Sequence, residues 1–134
     1  MILLDTHALI WLAAGTSDLG SKALRAIEEQ PERRMSAMVA WELAMLVDKR
    51  RIALESPLDI WLDQAMRGFG IVEVPVTSAI GRDAGGLQGN IHGDPCDRIM
   101  IATARALGCP LVTSDRAILR YAANGHLKAI DARR

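Results

Sequence analysis

The chain has 134 residues, half of them hydrophobic, with sixteen basic and sixteen acidic side chains for a formal net charge of zero. That length suits one domain around one core, and the apolar share argues against disorder. Electroneutrality argues against a protein that coats DNA, and no apolar run approaches the ~20 residues that span a bilayer. Cys96 and Cys109 lack metal-site spacing and read as reduced thiols of a cytoplasmic protein. No basic segment precedes the first apolar run, so the N-terminus reads as a strand and not as a signal peptide.

In chain order, Ile2 to Leu4 read as a buried strand, and Thr6 caps a short helix carrying Leu9, Ile10 and Leu12. Leu19, Ala23 and Ile27 recur at helical spacing until Gln30-Pro31. Arg34 to Ser36 suit a very short strand, with Ser36 capping a helix from Ala37 to about Lys49. Ser56-Pro57 opens a helix that Gly68 closes, and Ile71 to Val74 form a strand stopped by Pro75. Thr77 caps a short helix that fades into Gly85-Gly86, and Gly89 to Gly93 is a loop. Pro95 to Leu107 is a strongly periodic helix closed by Gly108 and Pro110. Leu111 to Thr113 is a strand, Arg116 to Ala122 a helix, and Leu127 to Ile130 a last short strand. The alternation predicts an α/β fold: a mostly parallel, short-stranded sheet between two layers of helices.

Two of these strands end on an acid. Asp5 follows Ile2-Leu3-Leu4, and Asp115 follows Leu111-Val112-Thr113-Ser114. In an open α/β sheet such positions face the crevice where ligands bind. Each alone is also an ordinary helix N-cap. Glu42 shares a helical face with Met38, Val39, Met45 and Leu46, where a carboxylate is costly unless paired, protonated or bound to a cation. Asp94 before Pro95 is an N-cap in its own right, whereas Asp97 shares a face with Met100 and Ile101 and points partly inward. Carboxylates without matching Lys or His suit hard cations, Mg²⁺ or Mn²⁺, which activate water for phosphodiester hydrolysis. His7, His92 and His126 have no paired ligand spacing and read as surface or turn residues, which disfavours zinc.

Asp5-Thr6, Ala40-Trp41-Glu42-Leu43, Asp94-Pro95-Cys96-Asp97-Arg98 with Ile101-Ala102-Thr103-Ala104, and Thr113-Ser114-Asp115 together resemble the PIN-domain ribonucleases. They are most similar to the VapC-type toxins of bacterial toxin–antitoxin pairs. The resemblance runs the length of the chain. It implies a PIN-like three-layer sandwich and a Mg²⁺- or Mn²⁺-dependent endoribonuclease. It also implies a homodimer with a cognate antitoxin. Carried over residue by residue, Asp5, Glu42, Asp97 and Asp115 are the catalytic and metal-binding acids, and Thr6 and Thr113 supporting hydroxyls. Cys96 stands where that family often has an aromatic residue.

Around the acids, Arg98, Arg116 and Arg120 are candidate substrate contacts, as is the run Lys49-Arg50-Arg51, which reads equally as a solvated cationic helix end. Trp11, Trp41 and Trp61 suit core or interface positions, with Trp11 and Trp41 candidates for an antitoxin groove. Two other classes compete. A receiver-type signalling domain would need a Lys after a late strand, and none follows Leu111 to Asp115. A catalytically silent binding module would lack one of the acids, and none is missing.

Overall fold

The computed structural model describes residues 1–134. Its strands are β1 (Ile2–Leu4), β2 (Arg33–Ser36), β3 (Ile71–Val74), β4 (Leu111–Thr113) and β5 (Ala129–Asp131). The helices are α1 (Thr6–Ala14), α2 (Ser21–Glu29), α3 (Met38–Asp48), α4 (Leu58–Phe69), α5 (Ser78–Gly85), α6 (Pro95–Leu107) and α7 (Arg116–Ala123). All five strands are parallel, in the order β3-β2-β1-β4-β5. β1 and β4 are fully buried because their three residues each are apolar or, at Thr113, internally bonded. The chain leaves β1 toward β2 and β3, then returns to β4 and β5. Right-handed crossovers therefore put α1 to α4 on one face and α5 to α7 on the other. The strand order reverses between β1 and β4, and ligand crevices open at such a reversal.

One core of 24 buried residues joins β1, β2 and β4 to the inner faces of the helices, with Leu3, Leu4, Leu9, Leu43, Ile101 and Leu111 among its largest side chains. A smaller cluster, Ile80, Ala84 and Ala102, binds α5 to α6.

The boundaries differ from the sequence expectation in three instructive places. α4 runs through Gly68 and ends at Gly70, whose φ of 63° supplies the left-handed turn that Gly68 does not need. β5 begins at Ala129, two residues later than expected, because Leu111 and Val112 pair with Ala129 and Ile130. Ser36 does accept a hydrogen bond from the Met38 amide, but Ala37 already has helical dihedrals, so the serine ends β2 and steers α3 from one position further out.

Candidate active site

Asp5 and Asp115 each follow a strand, and both are helix N-caps, so Asp5 and not the expected Thr6 caps α1, with Thr6 its first helical residue. Asp5 Oδ1 accepts from the Ala8 amide at 3.0 Å, and Asp115 Oδ1 from the Ile118 amide at 2.9 Å. The capping and ligand readings are compatible at Asp115, whose second carboxylate oxygen makes no hydrogen bond, whereas at Asp5 the Ala8 amide engages Oδ1 and the Thr113 hydroxyl engages Oδ2. Thr113 links the pair. β1 and β4 are neighbours in register Leu4 to Val112, which sets Asp5 beside Thr113. The Thr113 hydroxyl donates to Asp5 Oδ2 and accepts from the Asp115 amide at 3.1 Å.

Asp97 sits in the first turn of α6. Its amide is capped by Asp94 Oδ1 at 3.0 Å, as expected for an Asp before Pro95. Its carboxylate lies against His92 Nε2 at 3.2 Å. Ligand atoms of His92, Asp97 and Asp115 all lie within 4.8 Å of one another. Asp5 and Glu42 stand outside that group, yet both carboxylates, with Asp115 and Asp94, repel charge on Asp97. Burial first, and then this repulsion, pushes the Asp97 carboxyl up to about 7. Burial also raises Asp5, against the hydrogen bonds from Thr113 and Ala8 that favour its charged form. Glu42 is half-buried on α3 and faces Cys96, whose thiol is pushed up by burial and then by the charge of Glu42 and Asp97.

His92 was not legible as a site residue. It lies in the 86–93 loop, two positions before Asp94, with no ligand-like spacing in the sequence. Its Nδ1 accepts the Asp94 amide at 3.2 Å, so a neutral imidazole carries its proton on Nε2 and donates it to Asp97. The histidine thus acts on a carboxylate and offers no free lone pair to a cation.

The remaining candidates separate. Arg98 turns away from the acids, donating to the carbonyls of Ala84, Gly85 and His92 at 2.8, 3.3 and 3.3 Å. It ties the 86–93 loop to α6. Arg116 is 71% exposed, with Asp131 3.8 Å away. Thr6 is buried, and its hydroxyl has no hydrogen-bond partner. Lys49 to Arg51 form the exposed end of α3. Trp41 is 57% exposed, whereas Trp11 is half-buried under the Arg133 guanidinium, 5.5 Å from its ring.

The class of protein that this fold and site define is an α/β domain whose sheet gathers uncompensated carboxylates at its carboxyl edge, at the β1/β4 reversal. The chain belongs to the PIN domain family, whose pattern it matches over residues 2–124. It is 36% identical over 115 residues to Ribonuclease VapC22 of Mycobacterium tuberculosis, covering 86% of this chain and 87% of that protein. Among solved structures it is similar to VapBC2 from Rickettsia felis, bound to a DNA fragment from their promoter. The TM-score is 0.70 and the identity 19%, over 97% of this chain and 98% of that one. A toxin–antitoxin complex from Klebsiella pneumoniae matches with TM-score 0.67 and 18% identity, over 98% of both chains. FitAcB from Neisseria gonorrhoeae matches with 0.65 and 16%, again over 98% of both. At these identities the structural likeness is one of fold.

Proposed function

We propose that this protein is a divalent-metal-dependent endoribonuclease and the toxin of a toxin–antitoxin pair, with Asp5, Glu42, Asp97 and Asp115 holding the metal. The observation that carries the reading is the state of Asp97: a half-buried carboxylate pressed by four other acids, with no Lys or Arg to neutralise it. Structural carboxylates are ordinarily paired, so uncompensated charge held in place fits a cation. An all-oxygen donor set at neutral pH suits Mg²⁺ or Mn²⁺ over zinc. Such an ion, when bound, supplies Lewis-acid activation of water and charge stabilisation at the leaving oxygen.

The chain's own groups do the rest. Thr113 fixes the orientation of Asp5 and the backbone of Asp115 with one hydroxyl. Asp94 starts α6 and so sets where Asp97 stands, while the His92 N–H orients the Asp97 carboxylate. Arg98 acts as a positioning residue for the His92 loop, and Arg116, exposed and held only by a 3.8 Å pair with Asp131, can meet a phosphate. Thr6 follows Asp5 in the chain with its buried hydroxyl unpartnered, so it holds no acid in place directly. The relative named a ribonuclease and the structural neighbours solved as toxin–antitoxin complexes support the substrate and the partner. Exposed Trp41 supports a protein partner on α3, and a homodimer follows from the family resemblance.

The test is cleavage of a mixed RNA pool by wild type and Asp97→Asn, with Mg²⁺, with Mn²⁺ and with EDTA. Wild-type cleavage that needs the metal and vanishes in the variant supports the reading. Metal-independent cleavage, or an Asp97→Asn protein as active as wild type, sinks it.

A further inference from the structure

We infer that a base-recognition pocket adjoins the carboxylate site: the cleft between the 86–93 loop and α7 receives one unpaired base of the RNA beside the cut bond. This deepens the ribonuclease reading and rests on it for the identity of the ligand. The cleft has a volume of about 350 Å³ and is lined by Asn90, His92, Ala117, Arg120, Tyr121 and Asn124. That is within the ~300–1,000 Å³ typical of small-ligand pockets. It shares a wall with the acids, since His92 contacts Asp97 at 3.2 Å and Ala117 lies one half-turn beyond Asp115.

The lining is suited to a base edge more than to a phosphate alone. The side chains of Asn90 and Asn124 are exposed to the cleft and make no hydrogen bond within the chain. Each offers two donors and an acceptor, the set that reads Watson–Crick and Hoogsteen edges of splayed single-stranded bases. Arg120 has no acidic partner, and it also borders a second cleft with Arg116 and Arg134, where the adjoining phosphates would run.

The pocket is also built in advance. Tyr121, buried, stacks on His126 at 4.0 Å with 10° between the rings, and its hydroxyl donates to the Gln88 carbonyl. Gly89 takes a φ of 88°, and a Cβ there would meet His126 Nε2 at 3.0 Å, so the loop lies flat against this stack. Arg98 fastens the loop's other end through the His92 carbonyl. A loop held at both ends keeps the backbone of this wall in place, so binding orders only the side-chain amides.

The experiment has two arms. The first sequences the products of a short RNA pool, randomised around the cut, after digestion by wild type, Asn90→Ala, Asn124→Ala and Arg120→Ala. Wild type should prefer one base at one position near the cut. Loss of either amide should flatten that preference by about tenfold, the size of one good base contact, read as a ratio from whatever cleavage remains. Arg120→Ala should slow all sequences alike. The second arm records side-chain amide NMR signals of the protein in EDTA while AMP, GMP, CMP and UMP are added singly. One nucleotide should shift Asn90 and Asn124 ahead of the other three. Unchanged preference in both Asn variants overturns the pocket while leaving the nuclease reading standing. If wild type cuts no RNA, that reading falls and the NMR arm decides: selective shifts at both Asn residues uphold a nucleotide pocket, and none refutes it.

Discussion

At the scale of single residues, Asp97 carries the clearest consequence. Its carboxyl titrates near 7 in the folded protein, against roughly 3.9 in an unfolded chain. Between those values the folded state holds a proton that the unfolded chain has lost. The stability contributed by that proton is complete below the unfolded value and is lost as pH rises through about 7. Above that window the charged site is a standing strain, which a divalent cation relieves because it binds only the folded state. Asp97→Asn is expected to stabilise EDTA-treated protein at about pH 7.5 by on the order of 2 kcal/mol, and to lose the benefit of Mn²⁺. Thermal unfolding in EDTA and then in Mn²⁺ checks this. A variant that melts below wild type in EDTA, with Mn²⁺ lifting both equally, would make Asp97 a helix-start residue and nothing more. Thr113→Val tests the bridge between the strands. It keeps the shape of a fully buried side chain but frees Asp5 Oδ2 and the Asp115 amide. The expected cost is about 1–2 kcal/mol, with Mn²⁺ affinity down about tenfold by calorimetry. Unchanged Mn²⁺ affinity would place the Thr113 bridge outside the metal site.

At the scale of elements, the helix ends are the informative parts. α3 finishes with the Arg51 amide bonded to the Leu46 carbonyl at 2.9 Å and Arg50 in the left-handed region at φ 55°. Glycine is the usual residue there, because a Cβ is strained in that conformation. Arg50→Gly is therefore expected to raise stability by about 0.5–1 kcal/mol in urea unfolding, and a fall would reveal an unseen role for the guanidinium. The ends also explain what the sequence could and could not convey. Asp94-Pro95 and Gly108 announce α6 from both sides, and the buried runs of β1 and β4 need no tertiary information. The Gly68 and Leu127 boundaries failed because either of two nearby glycines could close α4, and because β5 takes its register from β4, not from its own residues. The acids were legible since each breaks an apolar pattern or ends a strand. His92 breaks no pattern: its partner, Asp97, is reached only because Arg98 and Tyr121 fold the 86–93 loop back. The bonding of Arg98 was hidden for the same reason, as the carbonyls it bonds lie up to fourteen residues away on α5 and the loop.

At the scale of the whole molecule, a formal charge of zero hides separate apolar and basic patches. Trp41 and Val47 on α3, Ile60 on α4, and Val72 and Val76 at the β3 edge are exposed and apolar. On the opposite side, Arg116 and Arg120 of α7 face Arg134 after β5 across a cleft that contains one acid, Asp131. The acidic site lies between, at the β1/β4 reversal. We propose that the apolar patch binds the protein partner and the arginine cleft the RNA, so the two functions should be separable by mutation. Replacing Arg116, Arg120 and Arg134 by Gln is expected to weaken RNA binding at low salt and to flatten its dependence on salt. Each lost phosphate contact reduces the slope of log K against log salt by about 0.7, so three should remove about two units. The same variant should still bind the proposed antitoxin partner. Trp41→Lys should do the reverse, losing the antitoxin and keeping the salt slope, because it places a charge where an apolar partner face would bury it. Filter binding across a salt series and calorimetry with the antitoxin read both quantities for both variants. If Trp41→Lys and the triple Arg variant each impair both partners to the same degree, the antitoxin and the RNA share one surface, and the division of the molecule into two sides is wrong.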